Sequence, residues 1–318
     1  MNTTETVIVE QFPYWDKALG ANGATERGEI LVYVGCGTSY YLAQTLAAHA
    51  NHAGRPAIAV PGAEWLNRPQ FFWPDWTKTH VVAISRSGET SETVAAARHS
   101  RAHGAFVTGL TVEPESALAK NSDSVLASPT HPDEGIVMTV SASLMLLMGL
   151  QMIGTPLPSS VVGTAERLAK ALSDALPDAV LSRSHVVFLG GGPLYGIASE
   201  GALKLMEMSQ VMTQAFHPLE YRHGPISLVD EKTAAVMLYS ADQKDAEATL
   251  VRELQNKGAF VIGLGGPGDL SLPVDASQET AGLVLLPALQ ILGERAAQSR
   301  NLDTVSPRHL TKVVMLAS

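Results

Sequence analysis

A chain of 318 residues with 46% hydrophobic and 17% charged residues is long enough for two domains of ordinary size and too apolar to be disordered. Its net charge of −9 argues against nucleic acid or an anionic membrane as a partner. An anionic substrate would therefore need local positive potential from helix N-termini and a few Lys or Arg. The single cysteine, Cys36, excludes an internal disulfide and fits a reducing cytoplasm. The opening MNTTETVIVEQF has no basic stretch followed by an apolar core, so no secretory signal is expected.

In chain order, residues 1–28 read as a partly helical leader. Short β-rich runs then alternate with helical stretches. In residues 29–160 these runs fall at 30–34, 57–60, 80–84, 106–110 and 124–126. In residues 161–318 they fall at 185–189, 213–216, 234–238, 260–264 and 283–286. Apolar runs alternating with helices predict parallel sheets covered on both faces. Residues 135–165 carry no charge, and 136–153 are dense in Leu, Met and Val. A membrane span needs about 20 mainly apolar residues. Here Thr139, Ser141, Ser143 and Gln151 interrupt the run, and Pro156 and Pro158 close it, so a buried or oligomer-facing helix is expected.

The chain repeats itself. GAFVTGL from Gly104 and GAFVIGL from Gly258 differ at one position in seven, with an offset of 258 − 104 = 154. VYVGCG from Val32 matches VFLGGG from Val187 at 187 − 32 = 155, and the strand before Ser85 matches the one before Ser240 at 240 − 85 = 155. Such a period fits a whole α/β unit duplicated, with the join near residue 160.

Two loops of the first copy carry anion chemistry. Gly35-Cys36-Gly37-Thr38-Ser39 and Ser85-Arg86-Ser87-Gly88-Glu89-Thr90 both follow strands directly, on the edge where such folds bind ligands. A serine-rich turn with an ordinary helix cap is the plain alternative. Convergence of two hydroxyl-rich loops at one sheet edge favours phosphate, held by helix N–H groups and hydroxyls. The second copy has SADQK at Ser240 and GGGPL at Gly190, so the apparatus survives only in the first. It holds instead Glu200, Lys204 and Glu207, spaced i, i+4, i+7 on one helix face among Ala202, Leu203, Leu205, Met206 and Met208. A solvated face with helical ion pairs is the usual fate of this spacing. Three charges on an otherwise apolar helix instead point to buried groups that pair or act. His223 sits in a loop closed by Gly224 and Pro225. No HExxH, CxxC or clustered-His pattern implies a metal, and Gly190-Gly-Gly-Pro193 is not a dinucleotide fingerprint, so no cofactor is expected.

Taken in order, GCGTS at Gly35, SRSGET at Ser85, DEGIVMT at Asp133, EGALKLME at Glu200, EYRHGP at Glu220 and SPRHLTK ending at Lys312 resemble the sugar isomerase (SIS) domain family. The likeness is greatest to the isomerase half of glucosamine-6-phosphate synthase, to galactosamine-6-phosphate deaminase/isomerases and to fructosamine-6-phosphate deglycases. It implies two tandem flavodoxin-like three-layer α-β-α domains with parallel sheets, and a homodimer with a shared active site. By resemblance, Thr38, Ser39, Ser85, Ser87 and Thr90 hold a sugar phosphate, with Arg86 beside them. Glu207 moves the proton between C1 and C2, and His223 opens the ring. Lys312 matches a lysine able to form a Schiff base, while Lys204 and Glu200 match the helix's other charged positions. Arg86 departs from the synthase's glutamine and Val140 from its lysine. About 30 residues precede the first copy, so no glutaminase domain is expected. The implied activity is aldose–ketose isomerisation of a phosphorylated sugar, an amino-sugar 6-phosphate with or without deamination. Deglycation of fructosamine 6-phosphates and non-catalytic phosphosugar sensing are the alternatives.

Overall fold

The computed structural model describes residues 1–20, 27–73 and 75–314. The chain opens with α1 (Thr3–Val9) and α2 (Phe12–Ala18). The first α/β domain then runs β1 (Ile30–Gly35), α3 (Thr38–His52), β2 (Ala57–Pro61), α4 (Gly62–Asn67), β3 (Thr79–Ile84), α5 (Ser91–Ala102), β4 (Phe106–Thr111), α6 (Ala117–Lys120), β5 (Ser124–Ala127) and α7 (Val140–Ile153). After α8 (Ser160–Ala175) and α9 (Asp178–Leu181), the second domain runs β6 (His185–Gly190), α10 (Leu194–Ser209), β7 (Met212–Phe216), β8 (Thr233–Leu238), α11 (Lys244–Asn256), β9 (Phe260–Leu264), β10 (Leu270–Leu272) and α12 (Ala281–Gln298).

Both sheets are parallel, ordered β2-β1-β3-β4-β5 and β7-β6-β8-β9-β10. Each is therefore the 2-1-3-4-5 order of a doubly wound domain. Every residue of β1 and β3 is buried, as expected of strands covered on both faces. Val32, Val34, Val81, Ala83 and Val107 pack into one core with Trp65 and Leu118. The second domain repeats it with Val187, Leu189, Ala235, Met237 and Val261.

The duplication extends to backbone detail. Gly37 and Gly192, 155 residues apart, both adopt left-handed conformations with φ of 55° and 54°. In each loop the same two turn bonds recur, Ser39 N–H to Cys36 O and Leu194 N–H to Gly191 O being one equivalent pair. The offset is not uniform. β1 and β2 match β6 and β7 at 155, but β3 and β4 match β8 and β9 at 154. Ser85 N–H bonds to Leu110 O, just as Tyr239 N–H bonds to Leu264 O. Tyr239, not Ser240, is thus the structural counterpart of Ser85, which corrects the sequence register by one residue.

The run at 283–286 is not a strand. It lies inside α12, whose residues are buried almost throughout, so its hydrophobicity carries no helical period and mimics a core strand. The fifth strand of the second sheet is instead the short β10, whose Leu270, Ser271 and Leu272 pair with Ile262, Gly263 and Leu264. The uncharged segment forms α7, fourteen residues and thus about 21 Å long. Gly149 lets α7 approach Leu46 of α3 so closely that a Cβ would stand 2.5 Å from Leu46 Cδ1. Among the described residues no helix is long and apolar enough to cross a membrane.

The compact units exchange chain ends. One contains Pro13–Glu134, Met138–Leu157 and the segment from Thr311; the other contains Met1–Phe12, Gly135–Val137 and Pro158–Leu310. In the latter, α1 is tied to α12 by Glu5, whose Oε1 lies 2.7 Å from Arg295 Nη2, and by Asn2 to Glu294. The segment carrying Lys312, grouped by sequence with the second domain, belongs to the unit built on the first.

Buried His80 on β3 accepts the Arg27 backbone N–H at Nδ1, 3.1 Å away, and its Nε2 lies 2.8 Å from Thr108 Oγ1. Burial, with Arg55 and Arg27 nearby, holds its pKa down at about 4, against an ordinary 6.5. The unfolded chain thus takes up a proton that the folded chain refuses. Its contribution to stability is fully present above pH 6.5 and is lost as pH falls towards 4, by up to about 3 kcal/mol. Urea denaturation at pH 7 and 4.5 should show this loss, and it should shrink in His80→Gln.

Candidate active site

Reversal of strand order between β1 and β3 brings the loops that follow them together at their carboxyl ends, where doubly wound folds bind ligands. The loops after these strands carry the predicted hydroxyls. Thr38 and Ser39 begin α3 and are each 4% exposed. After β3, Ser85 is buried; its Oγ accepts the Gly88 N–H at 3.1 Å and donates to Thr90 Oγ1 at 3.2 Å. Ser87 Oγ accepts the Glu89 N–H at 3.2 Å. Gly88 has φ of 63°, and a Cβ there would stand 2.0 Å from Ser116 Oγ, so the turn requires glycine. Thr90 is the N-cap of the twelve-residue α5, yet its side chain does not cap the helix amides. The hydroxyl is turned to Ser85 instead. The arrangement keeps positive helix-end potential at the loop, as anion binding requires.

Arg86 contacts the segment that carries Lys312. Its guanidinium Nη2 donates to the Lys312 carbonyl at 2.9 Å, and Lys312 Nζ donates to the Glu134 carbonyl at 3.1 Å. The Glu134 carboxylate in turn accepts the N–H and Oγ–H of both Thr139 and Ser141 at 2.7–3.1 Å, anchoring the start of α7. Thr130 Oγ1 donates to its other oxygen at 2.8 Å. Glu134 and the Arg86–Lys312 contact were not singled out by sequence reasoning. Glu134 lay within the DEG stretch, but nothing local links Arg86 to a residue 226 positions away.

In the second domain, α10 brings three predicted residues together. Lys204 is 1% exposed in its side chain and Glu200 is fully buried, with Nζ 3.6 Å from Glu200 Oε1. Lys204 Nζ also donates to Glu207 Oε2, whose side chain is 21% exposed. Glu207 is therefore held at its inner oxygen and open to solvent at one side. This is not the solvated face that such spacing usually produces. Gly293 of α12 permits the close helix packing that buries Lys204; a Cβ there would meet Lys204 O at 3.3 Å.

His223 is exposed at the end of the 3-10 turn Glu220–Arg222, its backbone N–H bonded to Glu220 O at 3.0 Å. Among the described residues its imidazole makes no hydrogen bond. Arg222 pins the turn to α11 by a two-pronged contact with Glu253 at 2.8 and 2.9 Å. Cys36 lies 3.6 Å from Thr93 Oγ1, and burial pushes its thiol pKa up, which makes it a poor nucleophile.

The second copy's counterpart loop is bound to a buried carboxylate. Glu247, on the first turn of α11 and 2% exposed, accepts the Ser240 N–H at 2.8 Å and the Ser240 Oγ–H at 2.6 Å. Desolvation is the main cause holding its pKa above the ordinary carboxylate value. No group of three or more His, Cys, Asp or Glu able to hold a metal occurs among the described residues.

Two doubly wound domains, one with a hydroxyl-lined loop after its third strand and one with a buried acid–lysine–acid helix, define a tandem α/β protein. The SIS domain family model matches residues 27–153 and 180–273, and the chain belongs to that family. A Streptomyces coelicolor protein named for D-galactosamine-6-phosphate deaminase, AgaS, is 31% identical, covering 88% of this chain and 82% of its own. The glutamine–fructose-6-phosphate aminotransferase of Mycobacterium leprae is 30% identical over 88% of this chain, which spans 50% of that protein's length. Among solved structures, glucosamine-6-phosphate deaminase from Thermotoga maritima matches with TM-score 0.87 and 31% identity, covering 99% of this chain and 100% of its own. Tagatose-6-phosphate ketose/aldose isomerase from Escherichia coli shares the fold at TM-score 0.78 and 23% identity, covering 94% and 93%.

Removing the Lys204 ammonium strips buried Glu200 of a cationic neighbour. Lys204→Met should lower stability by about 3–5 kcal/mol, read by chemical denaturation. A loss below about 1 kcal/mol, the range of exposed ion pairs, would show the site to be solvated.

Proposed function

We propose that the protein is an aldose–ketose isomerase of a phosphorylated sugar, acting on an amino-sugar 6-phosphate: proton transfer from C2 to C1 gives an imine at C2, which water hydrolyses to the ketose phosphate and ammonia. The observation that carries this reading is the hydroxyl-lined Ser85–Thr90 loop, whose Thr90 side chain turns to Ser85 and does not cap α5, on the edge where the first sheet reverses order. Phosphate there accepts from Ser85, Ser87, Thr90 and helix amides, with Thr38 and Ser39 on the neighbouring loop. An anchor remote from the reacting carbons supplies orientation without chemistry. The deaminating form is favoured by the two relatives named for amino-sugar phosphate deamination, each 31% identical over most of both chains.

The chemistry needs a carboxylate base, an acid serving the ring oxygen and a fixed geometry. Glu207 is the base, moving a proton between C1 and C2 of the open chain. Lys204 fixes its orientation, and Glu200 neutralises the lysine from below. His223, free to reach a ligand, protonates the ring oxygen as the hemiacetal opens. Lys312 supplies an amine to the open-chain carbonyl. Homodimerisation, with the exposed His223 loop contributed to a partner, belongs to the same reading, as does a cytoplasmic location. Arg86 acts on the Lys312 segment, not on phosphate.

Incubation with amino-sugar and hexose 6-phosphates, following both ketose formation and ammonia, tests the activity. Isomerisation with ammonia release from an amino-sugar 6-phosphate is expected. Tight phosphosugar binding without turnover of any substrate would instead make the protein a sensor. Glu207→Gln should reduce proton exchange at C2 by about 100-fold or more while leaving phosphosugar binding intact. Arg86→Gln separates its two candidate roles. A positioning residue should lose about tenfold in kcat with KM nearly unchanged, whereas a phosphate ligand should raise KM.

A further inference from the structure

The second domain retains a cavity where the first has its anion loop. About 870 Å3 in volume, it lies between the loops following β6 and β8, at that sheet's own reversal of strand order. Its size suits a small organic ligand. The glycine loop keeps the backbone conformation of the first copy. Nothing stands within 4 Å of a Cβ at Gly192, so a ligand can approach the main chain there. A Cβ at Gly191 would lie 3.8 Å from Glu247 Oε1 and 3.9 Å from Ser240 Oγ, which places Glu247 at the meeting of the two loops.

The chemistry of the cavity is inverted. Tyr239 replaces Ser85 in register and ties its hydroxyl to Pro267 O at 2.8 Å, while Asp242 takes the place of Gly88. The wall holds the carboxylates of Glu220, Asp242 and Glu247 against the single ammonium of Lys244. Glu247 has only neutral donors from Ser240, and Asp242 adds to the burial that holds its pKa up. A buried carboxylate in that setting gains from an ammonium and repels phosphate. The exposed ring of His217, also on the wall, is backed by Tyr195 at 4.1 Å between centroids and 17° between planes. Such a stacked pair offers a flat, amphipathic platform to a hydroxylated ring.

We propose that this cavity is a second ligand site, taking a phosphate-free amine that bears hydroxyl groups, its ammonium between Glu247 and Asp242. The proposal stands on the second domain alone and is independent of the catalytic reading above. It is tested by titrating the full-length protein with D-glucosamine, D-glucose and inorganic phosphate, following the backbone amides of Gly191 and Gly192 by NMR. D-glucosamine should saturate these shifts, D-glucose should bind about tenfold more weakly, and phosphate should leave them unmoved. Asp242→Asn, at an exposed residue that folding does not require, should weaken D-glucosamine about tenfold, and Glu247→Gln at least as much. Glu207→Gln should leave the affinity unchanged, which separates this cavity from the proposed catalytic site. Affinity unaltered by both carboxylate substitutions, binding lost with Glu207→Gln, saturation by phosphate, or no saturation by the amine would each overturn the proposal.

Discussion

Everything chemical in this molecule depends on one topological constraint, the reversal of strand order beside the first strand of each sheet. β1 sends its crossover one way to β2, while β3 lies on its other side; β6, β7 and β8 repeat the arrangement. Crossovers leaving to opposite sides cannot cover the strand ends between them, and the loops there are free to hold ligands. Backbone geometry at these loops is nearly the same in both copies, down to the φ of Gly37 and Gly192. What differs is who supplies the negative charge. In the first copy the Thr90 side chain turns to Ser85 and does not cap α5. In the second, no side chain caps α11 either, but the buried Glu247 reaches back to accept the Ser240 N–H and Oγ–H in the loop. One scaffold thus yields a loop lined with hydroxyls in the first copy and a loop centred on a buried carboxylate in the second.

The α10 charges show the same economy of position. A lysine side chain removed from water is tolerable only when paired, and Lys204 has a carboxylate on either side along its own helix. Burial depends on close packing by α12, where Gly293 leaves room beside Lys204. The outer carboxylate, Glu207, keeps part of its surface in solvent. The buried ammonium on its inner side holds that carboxylate in one orientation without covering its outer face. The same grip makes the helix expensive to alter, because each partner is stabilised by the others.

Much of this was legible in the sequence because it is local. Nine of the ten strands lie where apolar runs between helical stretches place them, and the loop chemistry of Ser85–Thr90 sits where a strand meets a helix cap. The 283–286 run misled because a helix buried on all sides has no polar face to betray its period. The one-residue register slip arose because a repeat can gain a residue between strands without disturbing either strand. Glu134 and Glu247 went unrecognised for a related reason. Each is an ordinary acid in the sequence, and only folding gives the one its five donors and the other its place beside Ser240 in the loop after β8.

Arg86 carries that argument furthest. Adjacent to the hydroxyls that would take a phosphate, it reads from sequence as one more cation for the same anion. Its guanidinium instead grips the main chain at Lys312, and the lysine's own ammonium is held by the carbonyl of Glu134. A guanidinium bonded to a carbonyl orients the segment that carries the amine. Helix-end dipoles are fixed by the backbone, whereas the tail segment has no regular structure of its own and must be fastened by side chains. The loop therefore places its permanent cation where order is otherwise lacking.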